Sequence, residues 1–114
     1  MNFLAELHTL KNNYEFRRAY NRGKSFQSPP FITYLVPNRL GFCRVGITTS
    51  KKIGNAVQRN RARRVIRAAF AAVAPEINKG VDLVFVARSR VLYLKSTELE
   101  KIMRKHLQTA GVIR

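Results

Sequence analysis

The sequence predicts one α+β domain over residues 1–114, a sandwich of one small sheet and the helices packed on it, in the order α-β-β-α-β-α. Three observations lead to this prediction. The chain has the usual length of one domain, and its 46% of hydrophobic residues can fill one core. Three segments have the three-and-four spacing of apolar residues typical of helices, and three others are β-rich or alternate in polarity. No internal repeat or long linker divides them.

The first half of the chain contains one predicted helix and two predicted strands. Asn12 and Glu15 have the spacing of a capping box, which predicts a helix over residues 13–22. The β-rich run 31–36 predicts a strand, and the alternating polarity of 43–50 predicts a second one. Because little more than a turn separates these strands, we expect them to pair as a hairpin.

The second half contains the clearest helix. Apolar residues at helical spacing predict it over 56–73. The nearly continuous apolar run 81–87 predicts a strand that is buried on both faces in the middle of the sheet. A capping box that begins at Thr97 predicts a last helix, which Gly111 ends. A further edge strand over 91–94 is left open.

The basic balance of the chain predicts a polyanionic partner. There are 22 Lys and Arg against 6 Asp and Glu, and the resulting net charge of +16 carries a self-repulsion that a polyanion would relieve. No acidic residue lies between Glu15 and Glu76, whereas thirteen basic residues occur from Arg17 to Arg67. We therefore expect the middle of the chain to form one electropositive surface.

Several classes of protein and site are excluded by what the sequence lacks. No apolar stretch approaches the roughly 18 residues that a membrane span needs. The first ten residues lack the basic start and long apolar run of a signal peptide, so we expect a cytoplasmic protein with no membrane partner. Cys43 is the only cysteine, which excludes an intrachain disulfide and a Cys-based zinc site. We expect it to be a buried or half-buried apolar residue.

The helix predicted over 56–73 has two opposite faces. At about 100° per residue, its apolar residues gather around Ala62 and Ile66, and its polar residues gather on the other side. That side is named the basic ridge, and it consists of Asn60, Arg63, Arg64 and Arg67. Arg59 and Arg61 flank the ridge, and Lys51 and Lys52 precede it in the chain. A charged run is usually a solvated face. This one has no acidic residue beside its arginines, which favours nucleic-acid binding.

Residues 44–67 resemble the signature of the bacterial ribonuclease P protein family. A strand that ends in Ser-Lys-Lys leads through Gly-Asn-Ala-Val into a helix with the run Arg-Asn-Arg. The likeness continues to residues 10–23 and 82–88, so it covers nearly the whole chain. It implies the family's fold, which has the element order derived above, often another short strand, and a left-handed β-α-β crossover. Residues 1–10 depart from the family because they hold no Lys or Arg, which puts an RNA contact there in doubt.

The resemblance also implies a function. In the family, the protein is a subunit of ribonuclease P, whose RNA subunit removes the 5′ leader from precursor tRNA with bound Mg²⁺. The residues implied to contact the RNA subunit are Lys51, Lys52, Arg59, Asn60, Arg61, Arg63, Arg64 and Arg67. The residues implied to line a cleft for the single-stranded leader are Phe16, Tyr20 and Tyr34. Neither a catalytic side chain nor an obligate protein partner is implied.

Two alternatives remain at this point. His8 and His106 could act as the acid/base pair of a stand-alone nuclease, although a histidine on an apolar helix face is more often hydrogen-bonded and partly buried. A ribosomal protein or an RNA chaperone would have the same size and charge. The spacing of Phe16 and Tyr20 alone slightly favours core packing, so their assignment to a cleft rests on the resemblance.

Overall fold

The computed structural model describes residues 8–114, which contain a five-stranded sheet and three α-helices. In chain order the elements are β1 (His8–Thr9), α1 (Asn13–Arg22), β2 (Lys24–Gln27), β3 (Phe31–Pro37), β4 (Arg44–Thr48), α2 (Ala56–Val73), β5 (Val81–Ala87) and α3 (Ser96–Thr109). The long elements follow the predicted order, which confirms the α+β class. The short strands β1 and β2 were not predicted, because two to four mostly polar residues carry no periodicity. Most of the Lys- and Arg-free start of the chain lies outside the described residues.

The sheet has the order β1-β4-β5-β3-β2. β5 lies at its centre, parallel to β4 and antiparallel to β3. The expected hairpin of residues 31–36 with 43–50 is therefore wrong, because β5 separates the two strands. The apolar run of β5 is buried on both faces, as predicted, and a central position is where such a strand removes the most surface from water. The hairpin partner of β3 is instead β2.

Helices cover both faces of the sheet. α2 and α3 pack on one face, and α2 also connects the neighbouring parallel strands β4 and β5, as the implied β-α-β crossover requires. The largest side chains of this main core are Phe31, Phe70, Phe85, Ile66, Leu83, Leu99, Met103 and Leu107. α1 packs on the other face, where a smaller core joins Leu10, Ala19, Val36 and Val84. Because both faces are covered, most residues of β3 and β5 are apolar on either side, with the buried polar residues Thr33 and Asp82 as exceptions.

The predicted starts of α1 and α2 agree with the structure, and the predicted start of α3 does not. Glu15 accepts the backbone N–H of Asn12 at 2.8 Å, as expected for the start of α1. α3 begins at Ser96, and Glu98 accepts the N–H of Lys95 at 3.3 Å, so the capping box expected at Thr97 is wrong by two residues. The edge strand left open over 91–94 is absent from the described structure. A 3₁₀ turn, Ser89–Tyr93, occupies that segment and buries Val91 in the main core.

Candidate nucleic-acid interface

Helix α2 separates the basic ridge from the core, as its periodicity predicts. The Asn55 side chain accepts the N–H of Gln58, and the Gln58 side chain accepts the N–H of Asn55, both at 2.9 Å. This reciprocal cap holds the helix start where five cations follow within the next turns. The buried residues of α2 are Ala62, Ile66, Ala69, Phe70 and Val73. On the opposite side the exposed residues include Asn60, Arg61, Arg64 and Arg67, with Arg63 half-buried.

A shallow groove of about 560 Å³ follows the basic ridge. Its lining residues are Val57, Asn60, Arg63, Arg64 and Arg67. Within residues 8–114 the ion pairs of arginine involve only Arg18, Arg44 and Arg104, so the groove arginines have no carboxylate partner there. Guanidinium groups without a partner can each donate two parallel hydrogen bonds to a phosphate. The groove therefore has the chemistry of a phosphate-binding surface.

The residues that flank the ridge differ in how far their side chains are engaged within the fold. Arg59 donates a hydrogen bond from Nη1 to the carbonyl of Gly54 at 2.7 Å, so part of its guanidinium holds the loop before α2. Lys51 and Lys52 are exposed in the 3₁₀ turn Lys51–Ile53. The third residue of that turn, Ile53, is buried in the main core and anchors the loop. The two lysines are thus presented next to the ridge on a fixed backbone.

A second depression, of about 640 Å³, lies between α1 and the end of β4 and is named the cleft. Phe16 and Tyr20 line it together, one helical turn apart, and Tyr20 is 38% exposed. Further lining residues that the sequence analysis did not single out are Asn13, Arg17, Ile47, Thr48 and Thr49. The position of Arg17 beside Phe16 could have indicated it. The two threonines belong to another element, so no local pattern could connect them with α1.

Two contacts fix the aromatic rings of the cleft. The half-buried Tyr34 meets the Tyr20 ring edge-on, with centroids 5.0 Å apart and planes at 78°. Tyr34 therefore supports Tyr20 from behind and is not among the lining residues, so its contact with a leader stays a prediction. Gly46 in β4 lies beneath Phe16, where a Cβ atom would be only 2.5 Å from Cε1 of the ring. Because Gly46 has no side chain, the Phe16 ring can pack directly against the backbone of β4.

Arg63 joins the cleft to the basic ridge. Its side chain lines the ridge groove beside Asn60 and Arg67, and it also lines the cleft beside Phe16 and Tyr20. A smaller pocket of about 300 Å³ between the two includes Phe16, Arg63 and Arg67 in its lining. Aromatic faces and guanidinium groups therefore form one continuous surface. This arrangement can stack unpaired bases at one end and bind phosphates at the other.

Two arginines of the basic middle segment do not belong to this surface. Asp82 is fully buried and accepts hydrogen bonds from Nε and Nη2 of Arg44, at 2.9 and 2.8 Å, while Arg18 lies 3.4 Å away. Arg44 also forms an ion pair with Glu15. Its hydrogen bonds to Asp82 raise the pKa of Arg44, and the pKa of Glu15 is lowered, chiefly by the N–H of Asn12. The expectation of one electropositive surface was wrong. Acids distant in sequence neutralise Arg18 and Arg44, and two further cations of the segment, Arg22 and Lys24, line a separate cavity.

The match to known proteins decides the family. A protein-family model for ribonuclease P matches residues 4–111. The chain belongs to the ribonuclease P protein family. The ribonuclease P protein component of a Thermoanaerobacter species is 42% identical over 84% of this chain and 83% of its own length. That of Clostridium beijerinckii is 38% identical over 93% of this chain and 90% of its own length.

Solved ribonuclease P proteins share the fold. The Staphylococcus aureus ribonuclease P protein superimposes with a TM-score of 0.81 at 30% identity, over 94% of this chain and 98% of that one. The Thermotoga maritima ribonuclease P protein, at 24% identity, supports the fold alone, with a TM-score of 0.78 over 90% and 96% of the two chains. Family membership makes the chain a subunit of a tRNA-processing endoribonuclease. It also separates the chain from ribosomal proteins and RNA chaperones of the same size and charge.

The described part of the chain does not bring the two histidines together. His8 lies in the edge strand β1, whereas Nδ1 of His106 lies 2.8 Å from Oγ1 of Thr33 in β3. Because β4 and β5 lie between β1 and β3, the strands β1 and β3 are about 14 Å apart. Burial lowers the pKa of His106, as for a partly buried structural histidine. The arrangement argues against an acid/base pair.

The described residues of the chain also do not fit a metal site of their own. Among residues 8–114, no three His, Cys, Asp or Glu side chains lie close enough to share an ion. The buried carboxylates Glu15 and Asp82 are held by Arg44. Cys43 is half-buried, as predicted, and burial raises the pKa of its thiol to about 12, which disfavours the thiolate that binds metals. None of the helices in the described range is long and apolar enough to cross a membrane.

Proposed function

We propose that the chain binds the catalytic RNA subunit of ribonuclease P through the basic ridge, its flanking residues Arg59 and Arg61, and the loop of Lys51 and Lys52. The cleft binds the 5′ leader of precursor tRNA. The RNA subunit carries out the cleavage, using Mg²⁺ held by RNA and substrate. The side chains of this chain bind and orient the RNA subunit and the precursor tRNA. This maturation of tRNA takes place in the cytoplasm.

The observation that carries the proposal is the position of Arg63, which lines both the cleft and the ridge groove. A leader bound in the cleft would emerge from it next to the cations that bind the RNA subunit. The two ligands would then be held in a fixed relation to each other. Positioning of this kind raises the rate of a reaction that the protein does not itself catalyse.

The chemistry of the cleft suits a leader of variable sequence. Aromatic faces stack on any base, and each stack contributes about 1–3 kcal/mol without reading hydrogen-bond patterns. Phe16 and Tyr20 offer two such faces at the spacing of one helical turn. Arg17 and Arg63 lie beside them and can contact the leader phosphates. The cleft thus combines the two requirements of sequence-independent single-strand binding.

An assay with the cognate RNA subunit tests the division of labour. We expect the protein alone to leave precursor tRNA intact, and its addition to the RNA subunit to lower several-fold the Mg²⁺ concentration needed for cleavage at the mature 5′ end. The reason is that ridge cations replace part of the charge neutralisation that the ions provide. The same Mg²⁺ dependence and substrate affinity with and without the protein would contradict the proposal.

Paired substitutions separate the two surfaces. Arg61→Ala with Arg64→Ala should weaken binding of the RNA subunit and reduce the slope of log K against log[salt] by about 0.9 for each phosphate that the variant no longer neutralises. The matched control removes two exposed cations of α3, by Lys101→Ala with Lys105→Ala, and should leave that slope nearly unchanged.

Phe16→Ala with Tyr20→Ala should instead weaken the holoenzyme's binding of precursor tRNA by about 30-fold or more, because two base stacks are removed. Binding of mature tRNA, which has no leader, should change little. Tyr14→Ala is the control, since Tyr14 is an aromatic residue of the same helix, 62% exposed and outside the cleft lining. Equal losses of affinity for precursor and mature tRNA would rule out the cleft as the leader site.

A further inference from the structure

A separate cavity of about 280 Å³ lies at the end of the sheet where β3 ends and β5 begins. It shares no lining residue with the cleft or the ridge groove. Its floor is apolar and is formed by three core residues, Leu35, Val81 and Val112. Its rim carries three cations from three segments: Arg22 at the end of α1, Lys24 in β2 and Lys79 before β5. The cavity thus combines an apolar base with a cationic rim.

The three rim cations have no carboxylate partner among residues 8–114. The acids of that range are engaged elsewhere: Glu15 and Asp82 with Arg44, Glu76 and Glu100 with Arg104, and Glu98 with the N–H of Lys95. Like charges gathered around a partly enclosed cavity repel one another, and no carboxylate of the described residues pairs with them to offset this. An anionic ligand would remove the repulsion.

We propose that this cavity binds a phosphate ester. Three cations from three separate segments can each contact one of the three terminal oxygens of a phosphate, whereas a carboxylate offers only two oxygens. The apolar floor accepts the organic part of the ester by burying it. No aromatic side chain lines the cavity, so recognition lies in the phosphate and in apolar contact. Two sources share this chemistry, a free small phosphate ester and a nucleotide unit of a bound RNA.

The cavity and the leader cleft are separate sites with no shared lining residue, although Tyr20 of the cleft and Arg22 of the rim lie two residues apart in α1. Thr48 of the cleft pairs with Val86, five residues along β5 from Val81 at the cavity, which corresponds to about 17 Å. Its strand residues belong to β5, β3 and β2, whereas the strand residues of the cleft belong to β4. A ligand there would occupy a second site and could be present together with a leader in the cleft.

Amide NMR spectra of the full-length protein test the free-ester source. We expect phenyl phosphate to shift the amides of Gly80, Val81 and Val112, and to bind about tenfold more tightly than inorganic phosphate because the floor covers its ring. Lys24→Gln with Lys79→Gln should abolish these shifts. The control, Lys101→Gln with Lys105→Gln, removes the same charge from the exposed face of α3 and should retain them. This arm needs no RNA, so its outcome is independent of the proposed function.

Salt titrations with the RNA subunit test the RNA source. If RNA occupies the cavity, Lys24→Gln with Lys79→Gln should reduce the slope of log K against log[salt] by about one to two relative to the α3 control. Local amide shifts with phenyl phosphate support the free-ester source, and a changed slope without them supports the RNA source. Shifts confined to α2 or absent, together with equal slopes for the two double variants, would overturn the proposal.

Discussion

Replacing Asp82 by Asn tests whether the buried ion pairs hold helix α1, and with it the cleft, against the sheet. The Asp82 carboxylate is fully buried and accepts hydrogen bonds from Arg44, at 2.8 and 2.9 Å, and from Asn38, at 2.8 Å. Asn has nearly the same shape, but it removes the charge and turns an amide group toward the guanidinium. Arg44, whose side chain is only 23% exposed, then keeps Glu15 as its one close anion.

Breaking a buried ion pair by removing one partner costs about 3–5 kcal/mol of the free energy of unfolding, because the remaining charge is left desolvated. With an unfolding entropy of about 2.1 cal/mol/K per residue, this loss lowers the melting temperature by roughly 12–20 °C. Urea denaturation followed by circular dichroism measures the first quantity, and a thermal scan measures the second. Glu100→Gln is the control, since it breaks a partly exposed pair with Arg104 and should have a much smaller effect.

A double-mutant cycle with Arg44→Met gives the reasoning a second check. The double variant removes both members of the pair, so its loss should be smaller than the sum of the single losses by about 1–3 kcal/mol. A loss of less than about 1 kcal/mol for Asp82→Asn, the value of a solvent-exposed pair, would refute the idea that this network holds α1. Strict additivity of the two substitutions would refute it as well.

Two further predictions concern the cleft and the pH dependence of stability. Gly46→Ala places a Cβ atom 2.5 Å from Cε1 of Phe16, so the ring must move, and we expect about a tenfold loss of affinity for leader-bearing tRNA, the equivalent of one base stack. Unchanged affinity would show that Phe16 does not contact the leader. Burial lowers the pKa of His106 below its ordinary value of 6.5, so the unfolded chain binds its proton more readily. The free energy of unfolding should therefore decrease as pH falls through 6.5, and His106→Gln should flatten that dependence in urea titrations between about pH 7 and pH 5.5.

The helices were predictable because their information is local. The three-and-four spacing of apolar residues predicts α1 and α2 at their observed bounds, and for α1 the capping box of Asn12 and Glu15 also marks the start. The same spacing assigns Arg64 and Arg67 to the face of α2 opposite Ala62. The basic ridge is thus a property of one segment, and the sequence was enough to describe it.

The order of the strands was not predictable from local patterns. β3 and β4 are neighbours along the chain, and the β-rich composition of one and the alternating polarity of the other predict two strands. Their separation depends on β5, which follows more than thirty residues later and enters between them. Strand pairing is decided by which arrangement buries the most apolar surface, and that is a property of all the strands together.

The cleft was only partly predictable from the sequence, unlike the basic ridge, which was predictable, and the strand order, which was not. The spacing of Phe16 and Tyr20 showed that they share one face of a helix, but on that spacing alone core packing was the slightly better explanation. Whether the rings of Phe16 and Tyr20 are covered depends on residues of other elements. These are Gly46 and Thr48 in β4 and Tyr34 in β3, which contacts the Tyr20 ring. A residue's exposure is set by its neighbours in space.

The charge of the chain shows the same division. Composition was enough to predict a polyanionic partner, because a net charge of +16 does not depend on the fold. It could not tell which cations face that partner. Arg44 pairs with Asp82, 38 residues away, while Arg63 lies between cleft and ridge and the rim of Lys24 and Lys79 gathers around a cavity. Coulomb interactions act over a few ångströms through space, so the folded contacts assign each charge its role.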